Sequence, residues 1–386
     1  MDISERLRGI KPSATLTITS KAKKMKKDGI DVISFAAGEP DFDTPDYVKE
    51  AAKKAIDSGF TKYTPASGTD ELKAAICGKF ERDNGLKYST DQIVVSNGAK
   101  HSIYNALLAV CEPGDEVLMI SPFWLSYPVM VEQAGGVPKV IDTDGADGYK
   151  ITPEKLKRAI GPKTKVLILN SPSNPAGVIY DKDELSAIAS ILCENNITVI
   201  SDEIYEKIIY DGRKHVSIGS LSADILGRTI TIDGLSKSHA MTGWRIGYLG
   251  APRDVAKAIS SFQSHTTSNP SSISQKAAMA ALSGGDAFVK GMVVEFDRRR
   301  RFMMDRLDSI KLRYIRPEGA FYIFVDISGT GLSSLDLAGR LLEEEKVAVI
   351  PGESFGMDDF VRLSFATSMR DITAGLERLE KWLSRL

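Results

Sequence analysis

"TIDGLSKSHAMTGWRIGYLG", residues 231–250, poses the question from which the fold can be read. A β-rich run ends in small residues and presents a single lysine, Lys237, with Ser236 beside it. Arg245 comes eight residues later, ahead of a second short apolar run. Taken singly, Lys237 reads equally as an exposed side chain and Arg245 as an ordinary ion-pair partner. A lysine that bonds to a carbonyl group, however, needs this kind of setting: a strand lip, partial desolvation and neighbouring groups for the rest of the ligand.

The same pattern, an apolar β-rich run with polar or small residues after it, recurs upstream. The runs are "QIVVS" (92–96), "EVLMIS" (116–121), "VPKVID" (137–142), "KVLILN" (165–170), "ITVISDE" (197–203), "TITIDG" (229–234) and "RIGYLG" (245–250), with helical patterns between them. Continuous apolar strands alternating with helices predict an α/β fold with a mainly parallel seven-stranded sheet covered on both faces. Ligands of such sheets gather at the carboxyl ends of the strands. Beyond residue 280 the pattern changes. A long charged helix through "VVEFDRRRRFMMDRL" precedes short strands in "GAFYIFVDI", "VAVIPG" and "FVRLSFA", and a closing helix. This predicts a smaller α/β domain of residues 280–386, joined by 1–40, where "VISFAAGEPDFDTP" ends a strand in a Gly/Pro turn. Residues 41–279 form the large domain.

Composition narrows the function. Of 386 residues, 42% are hydrophobic and 26% charged, enough apolar content for a large core, and the net charge of -1 favours neither nucleic acid nor an anionic membrane as partner. The opening "MDISERLRGIKPSATL" is too polar for a signal peptide, and Cys77, Cys111 and Cys193 are far apart, so the expectation is a cytoplasmic protein with reduced thiols. "KAKKMKK" (21–27) reads as a solvated helix face. Phosphate-loop, dinucleotide, zinc-protease and serine-hydrolase motifs are missing. The four histidines, His101, His215, His239 and His265, lack ligand spacing, so no metal is expected.

The residues directly after each strand carry the chemistry. After "QIVVS", "NGAK" makes a turn into a helix whose amides at Gly98, Ala99 and Lys100 form an anion cradle, unless it is an ordinary strand–helix turn. Trp124, in "PFWLSYP", offers an indole face to a flat ring or simply packs. Asn174 lies in the pinned turn "SPSNPAG", as an oriented amide or as an Asx turn. Asp202 ends an apolar run and needs a partner or caps a helix; Tyr205 projects from the same side if a helical turn begins there, and Glu203 reads as structural. An anion cradle, a stacking ring, an amide, a buried acid, a phenol, a lysine and an arginine at the ends of one sheet suit pyridoxal 5'-phosphate. Its aldehyde bonds an amine, its ring nitrogen pairs with an acid, and its phosphate needs an anion site.

On these residues, and on "KPSAT", "AAGEPDFDTP", "KYTPASGTDELK" and "VRLSFATS", nearly the whole chain resembles a class I, fold-type I pyridoxal-phosphate aminotransferase of the bacterial and archaeal aspartate aminotransferase group. The resemblance implies that Lys237 bonds the cofactor aldehyde, that Asp202 pairs with the ring nitrogen and that Tyr205 and Asn174 bond the phenolic oxygen. It implies that Trp124 stacks on the ring and that Gly98, Ala99, Lys100, Ser236 and Arg245 surround the phosphate. Tyr63 would reach the phosphate of the neighbouring subunit, making a homodimer with composite sites. Arg362 would clamp the substrate carboxylate, with Gly38 closing over it.

For the substrate, the resemblance points to L-aspartate and 2-oxoglutarate. Some members hold the distal carboxylate with an arginine before an "SNP" turn, but here "FQSHTTSNP" has Ser264 and His265. Ser13, Thr15 and Lys100 become the candidates, with Lys100 also available to the phosphate. Lys11 stands where relatives that accept prephenate carry a basic residue. Aromatic, alanine or prephenate specificity, a C–S lyase or decarboxylase reaction on the same fold, and a non-catalytic cofactor-binding regulator are the alternatives.

Overall fold

The computed structural model describes residues 1–10 and 12–386. A short N-terminal strand, Ile33–Ser34 (β1), is followed by Ile93–Ser96 (β2), Glu116–Ile120 (β3), Val137–Ile141 (β4), Thr164–Asn170 (β5), Thr198–Asp202 (β6), Thr229–Gly234 (β7) and Gly247–Gly250 (β8). Strands β2 to β8 form one seven-stranded sheet in the order β2-β8-β7-β6-β5-β3-β4. Every residue of β2, β7 and β8 is buried, as are the centres of β5 and β6, because helices cover both faces. That explains why these strands read as continuous apolar runs rather than alternating ones. Only β8 runs antiparallel to its neighbours, β2 and β7.

The parallel strands are in register at their carboxyl ends: Asn170 pairs with Asp202, and Asp202 with Ile232. Polar side chains leaving β5 and β6 therefore emerge on one level. Asn170 ties this edge together. Its amide donates to the Asp202 carbonyl (2.9 Å), and its Oδ1 accepts from the backbone amide of Asn174 (2.8 Å).

After the 23-residue helix Ala287–Ser309, the chain forms Tyr314–Ile315 (β9), Tyr322–Asp326 (β10), Val347–Ala348 (β11), Ile350–Pro351 (β12) and Phe360–Ser364 (β13). Strands β12, β13, β10 and β9 make an antiparallel sheet in which Arg362 lies between Phe324 and Ile350. β1 pairs in parallel with β11. The Phe35 amide continues this pairing by donating to the Ala348 carbonyl (2.8 Å), and the Phe35 carbonyl accepts from Ser364 (2.9 Å). The lysines of 21–27 lie exposed on the helix Ala14–Lys27, which buries Ala22 instead. Among the described residues no single helix is long and apolar enough to cross a membrane. The three cysteines are unpaired.

Candidate active site

The site grows from the end of β6. Asp202 is buried, and its Oδ2 accepts a hydrogen bond from Tyr127 Oη (2.6 Å). Its Oδ1 accepts from the Ile204 amide (3.3 Å). The chain then enters a turn rather than a helix, so Asp202 caps no helix. Burial raises its carboxyl to about 6, against the opposing hydrogen bonds from Tyr127 and Ile204. No cation pairs with it directly among the described residues. Tyr127 escaped the sequence reading, although it lies three residues beyond Trp124. Trp124 packs against it edge-on, ring centroids 5.4 Å apart.

Lys237 leaves the end of β7 and turns into the molecule. Its Nζ donates to the Gly38 carbonyl (2.6 Å) and lies 5.9 Å from the centre of the Tyr205 ring. Burial lowers its ammonium to about 8; Glu39 opposes that shift, while the Arg362 and Arg245 charges add to it. Ser236 beside it is buried. The phenol of Tyr205 is buried and shares a 2.9 Å hydrogen bond with Tyr322 Oη, another group that the sequence reading missed.

Arg362 is 1% exposed. Its Nη1 donates to Asn174 Oδ1 (3.0 Å) and its Nη2 to the Ala36 carbonyl (3.1 Å), while Nε is buried without a partner. The guanidinium lies 4.2 Å from the centre of the Tyr322 ring. Among the described residues no carboxylate pairs with it. A buried cation left uncompensated costs several kcal/mol, so this one is held ready for an anion.

At the far side, Gly98 opens the helix Ala99–Val110 with φ +90°. A side chain there would lie 2.3 Å from Arg245 Nη2, so only glycine lets the guanidinium settle on this turn. Arg245 itself donates to the Thr242 (2.9 Å) and Asn97 (3.1 Å) carbonyls. One expectation is corrected: the Gly98 amide is not free for an anion, because it closes the turn onto the Ser96 carbonyl (2.8 Å). The amides of Ala99 and Lys100 begin the helix and have no acceptor within it. Lys100 is exposed, with Nζ 3.2 Å from Ser126 Oγ and 4.6 Å from the centre of the Trp124 ring. Partial desolvation and the Arg245 charge lower its ammonium.

Lys237, Gly38, Tyr205, Asn174 and Arg362 are thus linked in one chain of contacts that runs through Tyr322. Asp202, Trp124 and Lys100 form a second through Tyr127, and Gly98 and Arg245 a third. Other candidates stand apart. Tyr63 is 91% exposed and makes no hydrogen bond or ring contact among the described residues. Ser13 precedes the helix Ala14–Lys27 without capping it through its side chain, and Thr15 Oγ1 is buried without a partner among the described residues. Lys11 lies outside the described residues.

A mostly parallel sheet with a partly buried amine and a buried acid at its strand ends, and a buried guanidinium from the second sheet that bonds Asn174 and meets no carboxylate among the described residues, is the arrangement of the fold-type I transferases that act on amino and oxo acids. The chain belongs to the aminotransferase class I and II family, whose pattern matches residues 30–379. It is 46% identical to an aspartate aminotransferase of Geobacillus stearothermophilus, covering 99% of both chains. It is 42% identical to an aspartate/prephenate aminotransferase of Thermus thermophilus, again over 99% of both. The solved aspartate aminotransferase of Thermus thermophilus with maleate superposes with a TM-score of 0.96, at 42% identity over 99% of each chain.

Proposed function

We propose that the chain moves the amino group of L-aspartate to 2-oxoglutarate in two half-reactions, with pyridoxal 5'-phosphate held at the carboxyl ends of the central sheet. The observation that carries this reading is Arg362, a buried guanidinium with an unpaired Nε and no carboxylate partner among the described residues. The residues present also fit the cofactor. Asp202 is a buried acid with no cation paired to it among the described residues, Lys237 is a desolvated amine, and Gly98 leaves room for Arg245 at the anion cradle.

Bound there, pyridoxal phosphate supplies a carbonyl that bonds amines and a protonated ring that accepts the electron pair left when an adjacent carbon loses a proton. Lys237 would hold the aldehyde and then, freed as an amine, take and return that proton; an ammonium lowered to about 8 makes it available near neutral pH. Asp202 would keep the ring nitrogen protonated, with Tyr127 fixing the carboxylate by its 2.6 Å hydrogen bond. Trp124 would cover the ring. Tyr205 and Asn174 would direct their O–H and amide to the phenolic oxygen. Ala99, Lys100, Ser236 and Arg245 would surround the phosphate. Arg362 would grip the α-carboxylate as a two-pronged donor, already oriented by Asn174 and Ala36, with Gly38 beside Lys237 closing that end.

The same reading covers the surroundings of the site. Residues 41–279 would act as the cofactor-binding domain and 1–40 with 280–386 as the small domain. The enzyme would work in the cytoplasm as a homodimer, with Tyr63 reaching the partner's phosphate; its exposure within one protomer suits that role. Prephenate is a second acceptor, favoured by relatives named aspartate/prephenate aminotransferase and by Lys11.

Donor choice is tested by mixing the pyridoxal form with single amino acids and monitoring loss of its absorbance. Aspartate should react fastest. Lys100, on the Trp124 face, is our candidate for the distal carboxylate, with Ser13 and Thr15 as lesser contributors. A partly shielded Lys–carboxylate bond is worth about 1.5–3 kcal/mol, so Lys100→Ala should lower kcat/KM for aspartate ~10–100-fold and for alanine much less. Equal losses would assign Lys100 to the phosphate.

A further inference from the structure

Behind the turn that presents Asp202 and Tyr205 lies a second set of charges that the chemistry above does not use. Within "DEIYE" (202–206), Glu203 and Glu206 are also buried, but they bond away from the site. Glu203 Oε1 accepts from Ser201 Oγ (2.9 Å) and Ser217 Oγ (2.7 Å), and its Oε2 accepts from Asn84 Nδ2 (3.0 Å) and lies 2.7 Å from His215 Nε2. Glu206 Oε1 is 2.7 Å from the ammonium of Lys79. Lys79, the last residue of the helix Asp70–Lys79 and 3% exposed, also donates to Asn84 Oδ1 (2.9 Å) and to Asp233 Oδ2 (2.5 Å). Tyr248 Oη donates to the same Asp233 oxygen (3.2 Å).

Asp233 lies at the end of β7, four residues before Lys237. One ammonium therefore hydrogen-bonds the strand that delivers the lysine and forms an ion pair, without a hydrogen bond, with the turn that carries the acid. Glu203, Glu206 and His215 place possible ligand atoms within 4.8 Å of one another, a grouping that their spacing in the sequence hides. The cation of this cluster is already present, however: Lys79 pairs with Glu206, and the Asn84 amide spans Glu203 and Glu206. Beyond it, Lys207 pairs with Asp83 (2.8 Å). Burial works against the charge on Lys79, but Asp233 and Glu206 hold it protonated.

We propose that Lys79 is a positioning residue for the reaction: by bridging Glu206 and Asp233 it sets where Asp202 and Tyr205 stand relative to Lys237. The inference rests on the reading that Lys237 and Asp202 carry the chemistry. Buried ion sets add little net stability over neutral side chains of the same shape, but the Lys79–Asp233 hydrogen bond, the close Lys79–Glu206 charges and the Asn84 amide together fix geometry. An error of about 1 Å in placing reacting groups can cost on the order of 100-fold in rate.

Lys79→Met alone leaves two acids buried and unpaired, so its unfolding midpoint should fall steeply. The informative variant is the triple Lys79→Met/Glu206→Gln/Asp233→Asn, which removes all three charges together. It should fold with a midpoint close to wild type. In titrations of the apo chain it should bind pyridoxal phosphate ~10-fold more weakly, and its kcat should be ~10–100-fold lower. KM for the amino donor should stay within about threefold, because Arg362 stands on a different sheet. A folded triple variant with wild-type cofactor affinity and kcat overturns the proposal. So does a triple variant that fails to fold, since the charges would then be serving the fold. Wild type and Lys237→Ala run alongside: if wild type bound no cofactor, or Lys237→Ala kept the wild-type absorbance, the reading of the site would fall instead.

Discussion

Asp202 and Lys237 are both held against their ordinary ionisation, and in opposite senses. Asp202's folded value of about 6 lies above its ordinary 3.8. Its contribution to the stability of the apo chain is thus present below about pH 4 and is lost as pH rises through about 6. At pH 7 the buried carboxylate opposes folding by an amount on the order of 1–3 kcal/mol. Asp202→Asn should therefore raise the apo unfolding midpoint at pH 7–8, with the gain vanishing below pH 4. The same change should weaken cofactor binding and slow α-proton removal by several orders of magnitude, because an amide cannot hold the ring proton. Lys237 runs the other way: its stabilising contribution is present above the ordinary 10.5 and is lost as pH falls through about 8. Differential scanning fluorimetry across pH checks the stability half and single-turnover kinetics the chemical half. A midpoint unchanged in Asp202→Asn would show that the carboxylate is not strained.

At the scale of elements, the turn into the helix Ala99–Val110, the proposed anion cradle, depends on two glycines from different parts of the chain. Gly98 has φ +90°, and Gly247 on β8 lies so close that a side chain there would meet the Ala99 amide nitrogen at 2.1 Å. Gly98→Ala would combine backbone strain of about 1–3 kcal/mol with displacement of the Arg245 guanidinium. The expected result is an intact fold by circular dichroism and cofactor affinity lowered at least ~10-fold, read by titrating the apo chain. The turn itself was legible, because a strand, small residues and an apolar helix succeed one another in "QIVVSNGAKHSIYNALL". The pairing of the Gly98 amide with Ser96 and the approach of β8 were not, because neither leaves a local pattern. The antiparallel direction of β8 was hidden for the same reason: a run buried on both faces reads alike in either direction.

For the whole molecule, the exposed Tyr63 is the residue on which the proposed dimer turns. Its loop is nonetheless firmly held. The buried Gln275 donates to Thr64 Oγ1 (2.9 Å), and the buried Gln263 to the Ala66 (2.6 Å) and Val95 (2.8 Å) carbonyls. A loop so anchored, carrying an exposed phenol, suits the proposed contact with a second copy. Lys237→Ala chains mixed with Tyr63→Asp chains should form hybrids in which one site takes both defects and the other neither. Random exchange at equal amounts should then restore about a quarter of wild-type activity. No recovery after exchange verified by mass would reject the shared site.

The sequence alone determined the central sheet and the polar residues at its strand ends. Long apolar β-rich runs separated by helices have one good way to be buried, between two helical layers, and the residues after each run must surface at the sheet's edge. The tertiary structure decided which of those groups meet. Tyr127 and Asp202 are 75 residues apart, Lys79 and Asp233 are 154 apart, and Arg362 and Asn174 are 188 apart. Each pair depends on a directional bond of about 3 Å. Such a bond forms only once the sheets and helices have packed, and no periodicity along the chain encodes it.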